Sequence, residues 1–168
     1  PVLSIEEGLA RGQYVLPSSV PPDAAVAAAL AAAPLRASGE FRAGGQEHFY
    51  LEGQVALAVP GEEGEMLVHS STQHPTEVQH IVARVLGEPY NRVTVQCRRM
   101  GGAFGGKESN ASWVAAAAAV AARLTGRPVK LRLPRRADMA ATGKRHPFLY
   151  RWTAGFGADG RLLALDAL

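Results

Sequence analysis

Cysteine is almost missing from this 168-residue chain: Cys97 stands alone. One thiol excludes a disulfide within the chain. It also excludes a cysteine-ligated iron–sulfur cluster or structural zinc site built from this chain by itself. A reducing cytoplasm is the expected location. Apolar runs are short, and none reaches the roughly 18 residues that a membrane span needs; the alanine run at 115–119 falls far below that. Aromatics make up only 7% of the residues, and the basic side chains are scattered, so a solvated surface is expected rather than a nucleic-acid interface. The five histidines, at 48, 69, 74, 80 and 146, never fall at the H-x-x-x-H spacing of a helical metal site. The start, PVLSIEEGLARGQ, has no basic region followed by an apolar stretch, so no export signal is expected. It also lacks an initiator methionine, which suggests a piece of a longer protein.

What is present suits a globular domain: 47% hydrophobic and 20% charged residues are ordinary proportions for one. Charge is uneven. Residues 1–67 carry nine acids and three bases, and residues 68–168 carry six acids and fifteen bases, which sums to the net +3. A basic C-terminal half could face an anionic partner.

The pattern predicts α+β structure, a mixed sheet with packed helices. SIEEGLA at 4–10 suits a short helical turn, and the alanine-rich 22–33 suits either a short surface helix or a low-complexity connector. Strand is expected within 41–61, where 54–59 alternates, and again at 66–72. Pro75 suits a helix start, with Val78, Ile81, Val82, Val85 and Leu86 as its apolar face and Gly87 as its stop. RVTVQCR at 92–98 reads as strand. A helix is expected over 110–125, capped by Ser109 or Asn110, then a strand at 129–133 and a hairpin over 147–166 that turns at Asp159-Gly160.

Between the strand at 92–98 and the helix at 110–125 lies GGAFGGKES, 101–109. Its spacing approaches a phosphate-binding P-loop, but Glu108 stands where that motif needs Ser or Thr. Ala103 breaks the dinucleotide pattern G-x-G-x-x-G. Glycines in such a loop permit positive φ and let a ligand touch bare backbone, so close ligand approach and a tight structural turn both remain open. Phe104 is expected to plug the core, Lys107 to be a solvent-exposed charge, and Glu108 to favour the dipole of the following helix.

Several stretches in order resemble the molybdenum hydroxylases, the family of xanthine dehydrogenase and aldehyde oxidase: GGQEHFYLEGQ (44–54), STQHPTEVQ (71–79), RRMGGAFGGKES (98–109), TGRPV (125–129) and GKRHPF (143–148). The resemblance spans about 40–168, as the first part of a molybdopterin-binding domain, with 1–39 as a preceding linker. STQHPTEVQ with GGKES resembles the bacterial type, in which the molybdenum part is a separate subunit.

The resemblance implies roles. The backbone of Gly101, Gly102, Phe104 and Gly105 would lie beside the molybdopterin cofactor, with Phe104 near the metal. Gln73 would hydrogen-bond an oxygen ligand of molybdenum; without the family context it would be a strand-end amide satisfied by nearby backbone. Glu108 would hold the substrate as in purine-oxidising members, where aldehyde oxidases carry an apolar residue. His48 and His146 would be structural. Two departures stand out. Ala103 replaces the commoner third glycine, and Gly53 stands where many relatives have threonine, with no obvious consequence.

The implied activity is hydroxylation of hypoxanthine or xanthine with water-derived oxygen, electrons leaving through 2Fe-2S clusters and FAD held elsewhere. The general-base glutamate and the substrate-clamping arginine of the family fall outside this chain, so no catalytic residue is expected in it and the fragment is expected to be inactive alone. Expected partners are a purine, the rest of the molybdenum subunit and an iron–sulfur/FAD subunit or domain, in an oligomeric enzyme without nucleic acid or membrane. An aldehyde-oxidising member, a non-catalytic module that keeps the fold, and a nucleotide-binding P-loop protein are the alternatives.

Overall fold

The computed structural model describes residues 2, 4–14 and 24–167. In chain order the elements are α1 (Ile5–Ala10), α2 (Ala24–Ala32), β1 (Leu35–Ala43), β2 (Val55–Pro60), β3 (Met66–Ser70), α3 (Pro75–Leu86), β4 (Val93–Gln96), α4 (Asn110–Thr125), β5 (Val129–Arg132), α5 (Arg135–Ala141), β6 (Phe148–Phe156) and β7 (Leu162–Ala167). Two compact units result. One combines 1–45 with 146–168, and the other is 46–145.

The first unit is an antiparallel sheet in the order β1-β6-β7 with α2 against β6 and β7. The expected hairpin is present. Gly160 takes φ +80° at its turn, and the Gly157 N–H donates across to Arg161 O at 2.9 Å. Ser4 caps α1 by accepting from the Glu7 N–H at 3.1 Å. The alanine-rich segment is helical from Ala24; residues 22 and 23 of that reading lie outside the described residues. The boundary expected between 39 and 40 falls inside β1, which pairs with β6 from Leu35↔Phe156 to Ala43↔Phe148. The strand expected across 41–61 is two strands in two sheets. The glycines at 44, 45 and 53 interrupt it, leaving only an isolated bridge, Gln46↔Arg145, between them.

The second unit is a mixed sheet in the order β4-β3-β2-β5, with β3 and β4 parallel and the other pairs antiparallel. The chain needs α3 to cross from β3 to β4, as parallel neighbours require. Alternation sets the faces. Ala56 and Ala58 of β2, and Met66 and Val68 of β3, join Val78, Val82, Val93, Val114 and the alanines of α4 in one core. Each buried valine contributes about 1.5–3 kcal/mol. Alanine has the highest helix propensity, and its small side chain lets α4 lie close on the sheet with Ala111, Ala115, Ala118, Ala119 and Ala122 buried. On α3 the apolar face is slightly rotated from the expected one. Ala83 is buried and Val85 is 51% exposed. Gly87 (φ +70°) and Gly126 (φ +63°) end α3 and α4 in left-handed backbone, as expected. Among the described residues no helix is long and apolar enough to cross a membrane.

Candidate functional site

The glycine loop leaves the end of β4 and enters α4. Three of its residues hold left-handed backbone: Gly102 (φ +94°), Phe104 (φ +54°) and Gly105 (φ +87°). A non-glycine residue there is uncommon and costs energy. Phe104 does not plug the core. Its side chain is 76% exposed, and buried Ala103 takes the inward position beside it. Left-handed backbone at Phe104 and Gly105, after Ala103 outside that region, accompanies the outward ring. Ala103 is not among the left-handed residues, so the loop needs no third glycine there. Gly106 is different. A Cβ on it would lie 2.6 Å from Tyr50 Cε1 and 2.7 Å from His48 Cγ, so no side chain fits.

Lys107 is not a solvent-exposed charge. It is fully buried. Its ammonium pairs with Glu52 Oε2 at 3.0 Å, donates to Ser71 Oγ at 2.8 Å and lies 4.7 Å from the Tyr50 ring centroid. A buried charge is tolerated when it is paired and hydrogen-bonded, and the two polar partners lie 55 and 36 positions earlier in the sequence. Glu52 Oε2 also accepts from Ser71 Oγ at 2.5 Å and from the Gly101 N–H at 2.9 Å. Burial pushes the Glu52 carboxyl up, but the bonds from Ser71, Gly101 and Lys107, with the ammonium's charge, outweigh it and hold the pKa below the ordinary carboxylate value.

A second buried network supports the loop. Asp138, on α5, accepts from Tyr50 OH and from the Gln54 N–H, both at 2.7 Å. Gln54 Nε2 donates to Tyr50 OH at 3.0 Å and to Gly106 O at 2.9 Å. Burial raises the Tyr50 phenol's pKa, and its bond to Asp138 raises it further against smaller opposing bonds from Gln54 and Thr142. Gly53 has a consequence here: a Cβ on it would meet Asp138 Oδ2 at 2.9 Å. Sequence reasoning missed Tyr50, Glu52, Gln54, Ser71, Lys107 and Asp138 as a supporting shell. Helix α5 was missed as well, being seven residues long directly after Pro134. The one available signal was Tyr50, Glu52 and Gln54 recurring at alternate positions within GGQEHFYLEGQ.

Gln73 is brought against the loop. Its Oε1 accepts from the Gly105 N–H at 3.1 Å and the Lys107 N–H at 3.2 Å, and its own N–H donates to Lys107 O at 3.0 Å. Those two donors identify which end of the amide is oxygen, so the NH₂ end is the one left for another partner. Glu108 is exposed, and its carboxylate meets no hydrogen bond or ion pair among the described residues. The expected caps differ. Ser109 holds the N-cap position without a side-chain bond, because its backbone is already helical at φ −88° and ψ −34°. Asn110 instead donates to Gly106 O at 3.3 Å and accepts from the Gly143 N–H at 3.2 Å.

The result is a surface with a definite chemistry. The N–H groups of Gly102, Ala103 and Phe104 have no acceptor among the described residues, and the Gln73 NH₂ adds a donor. Such a row of backbone and amide donors suits an oxygen-rich, anionic group. No three His, Cys, Asp or Glu side chains gather to hold a metal directly among the described residues. The donors fit the anionic groups of a larger cofactor. A cleft of about 510 Å³ on the sheet face opposite α4 is lined by Glu52, Val55, Leu57, Ser71, Arg98 and Lys130 among others; it shares Glu52 and Ser71 with the network under the loop but includes no residue of 101–109.

Residues 16–168 match the molybdopterin cofactor-binding domain. The chain belongs to that family. It is 45% identical over 165 residues to the xanthine dehydrogenase/oxidase of Felis catus, covering 98% of this chain and 12% of that protein. It is 46% identical over 166 residues to aldehyde oxidase 1 of Oryctolagus cuniculus, with the same coverage. In structure it is similar to the aldehyde oxidoreductase of Desulfovibrio gigas, with a TM-score of 0.72 and 31% identity over 83% of this chain and 15% of that one. The chain thus spans about an eighth of the length of the curated relatives it matches. The α+β class, with its mixed sheet and packed helices, is that of this molybdopterin-binding domain.

Proposed function

We propose that this chain is the loop-bearing part of a xanthine dehydrogenase-type molybdenum hydroxylase, acting on a purine in a larger enzyme that also holds iron–sulfur clusters and FAD. The observation that carries the reading is the pairing of two unspent polar groups on one loop system: the Gln73 NH₂, with its oxygen already committed, and the unpaired Glu108 carboxylate. The bound cofactor supplies the two-electron oxidation. The chain supplies position. The backbone of Gly101, Gly102, Phe104 and Gly105 would hold the cofactor, the Gln73 NH₂ would donate to it, and the exposed Phe104 ring would exclude water and bound the substrate space. Glu108 accepts from an N–H of the heterocycle and so orients the ring. Since the general base and the arginine clamp lie on other parts of the enzyme, this chain is inactive by itself.

The aldehyde-oxidising reading stays in view because the rabbit aldehyde oxidase is as similar as the cat xanthine dehydrogenase. Glu108→Val in the complete enzyme separates them. A hydrogen bond to a charged group contributes about 1.5–3 kcal/mol, or roughly 10–150-fold in kcat/KM. Hypoxanthine oxidation is expected to fall by about that factor while an aromatic aldehyde is oxidised as well as before. Equal loss on both substrates refutes the purine-anchor role and favours the aldehyde reading.

A further inference from the structure

One carboxylate oxygen joins both ends of the glycine loop. Glu52 Oε2 accepts from the Gly101 N–H where the loop begins, from the Lys107 ammonium where it ends, and from Ser71 at the strand end that leads to Gln73. Lys107 closes the arrangement by donating to the same Ser71 hydroxyl. The backbone of Lys107 then grips the Gln73 segment three ways. Its N–H donates to Gln73 Oε1, its carbonyl accepts from the Gln73 N–H, and the same carbonyl accepts from Thr72 Oγ1 at 3.1 Å. Among the described residues, Lys107 is the one that touches the carboxylate, the strand end and Gln73 together.

We propose that the buried Lys107–Glu52 pair is a positioning device that presents the Gln73 carboxamide with its NH₂ toward the cofactor and holds residues 101 to 107 as one rigid cradle. This rests on the reading of Gln73 given above. A loop rich in glycine loses more conformational entropy on ordering than any other, so a cradle made of backbone needs fixed ends. Were residue 107 to swing free, its N–H would leave Gln73 Oε1 with only the Gly105 N–H, itself on the loosened loop, and the carboxamide could rotate and present its oxygen where a donor is required. The pair therefore acts through Gln73 and touches neither cofactor nor substrate.

The test uses the complete molybdenum-containing enzyme as wild type, Lys107→Met, Glu52→Gln, Gln73→Ala and the Lys107→Met/Gln73→Ala double variant. Two readouts are independent of turnover: hydrogen–deuterium exchange of peptides covering 101–107 in cofactor-free protein, and the Mo(V) electron paramagnetic resonance spectrum of loaded protein. Lys107→Met and Glu52→Gln are expected to speed exchange across the loop, to change the spectrum in the way Gln73→Ala does, and to lower kcat by roughly 10–100-fold, as loss of an outer-shell partner does, with KM nearly unchanged. In the Gln73→Ala background Lys107→Met adds no further spectral change, since coupled residues do not act additively. An unchanged spectrum in Lys107→Met beside a changed one in Gln73→Ala overturns this inference and leaves the role of Gln73 standing. Purely additive changes overturn it too. A silent Gln73→Ala overturns both. Should Lys107→Met fail to fold, Glu52→Gln alone and combined with Gln73→Ala carries the same comparison, and the same outcomes support or overturn the pairing.

Discussion

Gly106→Ala adds a single methyl group to the loop, and its effect can be worked from the geometry. The new Cβ would stand 2.6 Å from Tyr50 Cε1, 2.7 Å from His48 Cγ and 2.9 Å from His48 Nδ1. Carbon contacts settle near 3.5–4.0 Å, so about 1 Å of movement is needed. Tyr50 cannot supply it cheaply. Its ring is buried, its hydroxyl is bonded to Asp138 and Gln54, and Gln54 in turn holds Gly106 O. The loop must move instead. Inserting a methyl into a well-packed site typically costs about 1–3 kcal/mol, and a loop that rises by even part of that distance carries Gly105 and Lys107 away from Gln73 Oε1. A shift near 1 Å can cost about 100-fold in rate where positioning matters. In the complete enzyme, Gly106→Ala is therefore expected to lower thermal stability by about that 1–3 kcal/mol, reduce molybdenum content and cut kcat. Gly143→Ala is the control. Its Cβ would come no closer than 3.7 Å to Asn110 Nδ2, and it should leave all three quantities unchanged. Wild-type metal content and turnover in Gly106→Ala would show that the loop is free to move and that the cradle is not rigid.

Other expectations follow from the buried networks. Glu52 has a folded-state pKa below its ordinary value, so its contribution to stability is present above the unfolded value of about 4.3 and is lost as pH falls through the folded value. Melting temperature against pH should accordingly drop less steeply on the acid side in Glu52→Gln than in wild type; identical acid limbs would show that this carboxyl is not tied to folding. Asp138→Asn exchanges one acceptor for a donor opposite the Gln54 N–H or the Tyr50 hydroxyl, and a buried group left without its partner costs about 1–3 kcal/mol. Calorimetry of Asp138→Asn beside the exposed turn variant Asp159→Asn checks this, since the latter should change stability by less than about 0.5 kcal/mol.

Much of the second unit was legible because its signals are local. Pro75 and Gly87 bracket α3, Gly126 ends α4, and alternation marks β2 and β3. These features act within a few residues of themselves. Val85 was misplaced on the core face because helical spacing defines a broad stripe, and the sheet beneath selects which edge of it is buried. β1 was only half seen, since Ser38, Gly39 and Glu40 have little strand character of their own and are held by pairing with Thr153, Trp152 and Arg151. At the site, the candidate residues could be found from motif order, but their surroundings could not. Lys107 reads as an exposed charge in any window of sequence. Its burial depends on Glu52, 55 positions earlier, and on Ser71, 36 positions earlier. Phe104 reads as a core residue by composition, and its outward turn goes with left-handed backbone at Phe104 itself and at Gly105.

The placement of charge within the loop separates two adjacent ionisable residues. Lys107 and Glu108 are neighbours in sequence, yet one is fully buried and paired while the other is exposed and unpaired. If the pair were simply a surface ion pair between neighbours, neither would be available for other work. Because the ammonium is drawn inward by Glu52 and Ser71, the Glu108 carboxylate has no cation from its own loop to neutralise it. The structural charge is thereby settled below the loop, and an acceptor remains above it. Because the Glu108 side chain makes none of the contacts that hold 101–107, its replacement by an apolar residue is expected to leave the cradle intact. The network that holds 101–107 thus runs through the side chain of residue 107 and not through that of residue 108.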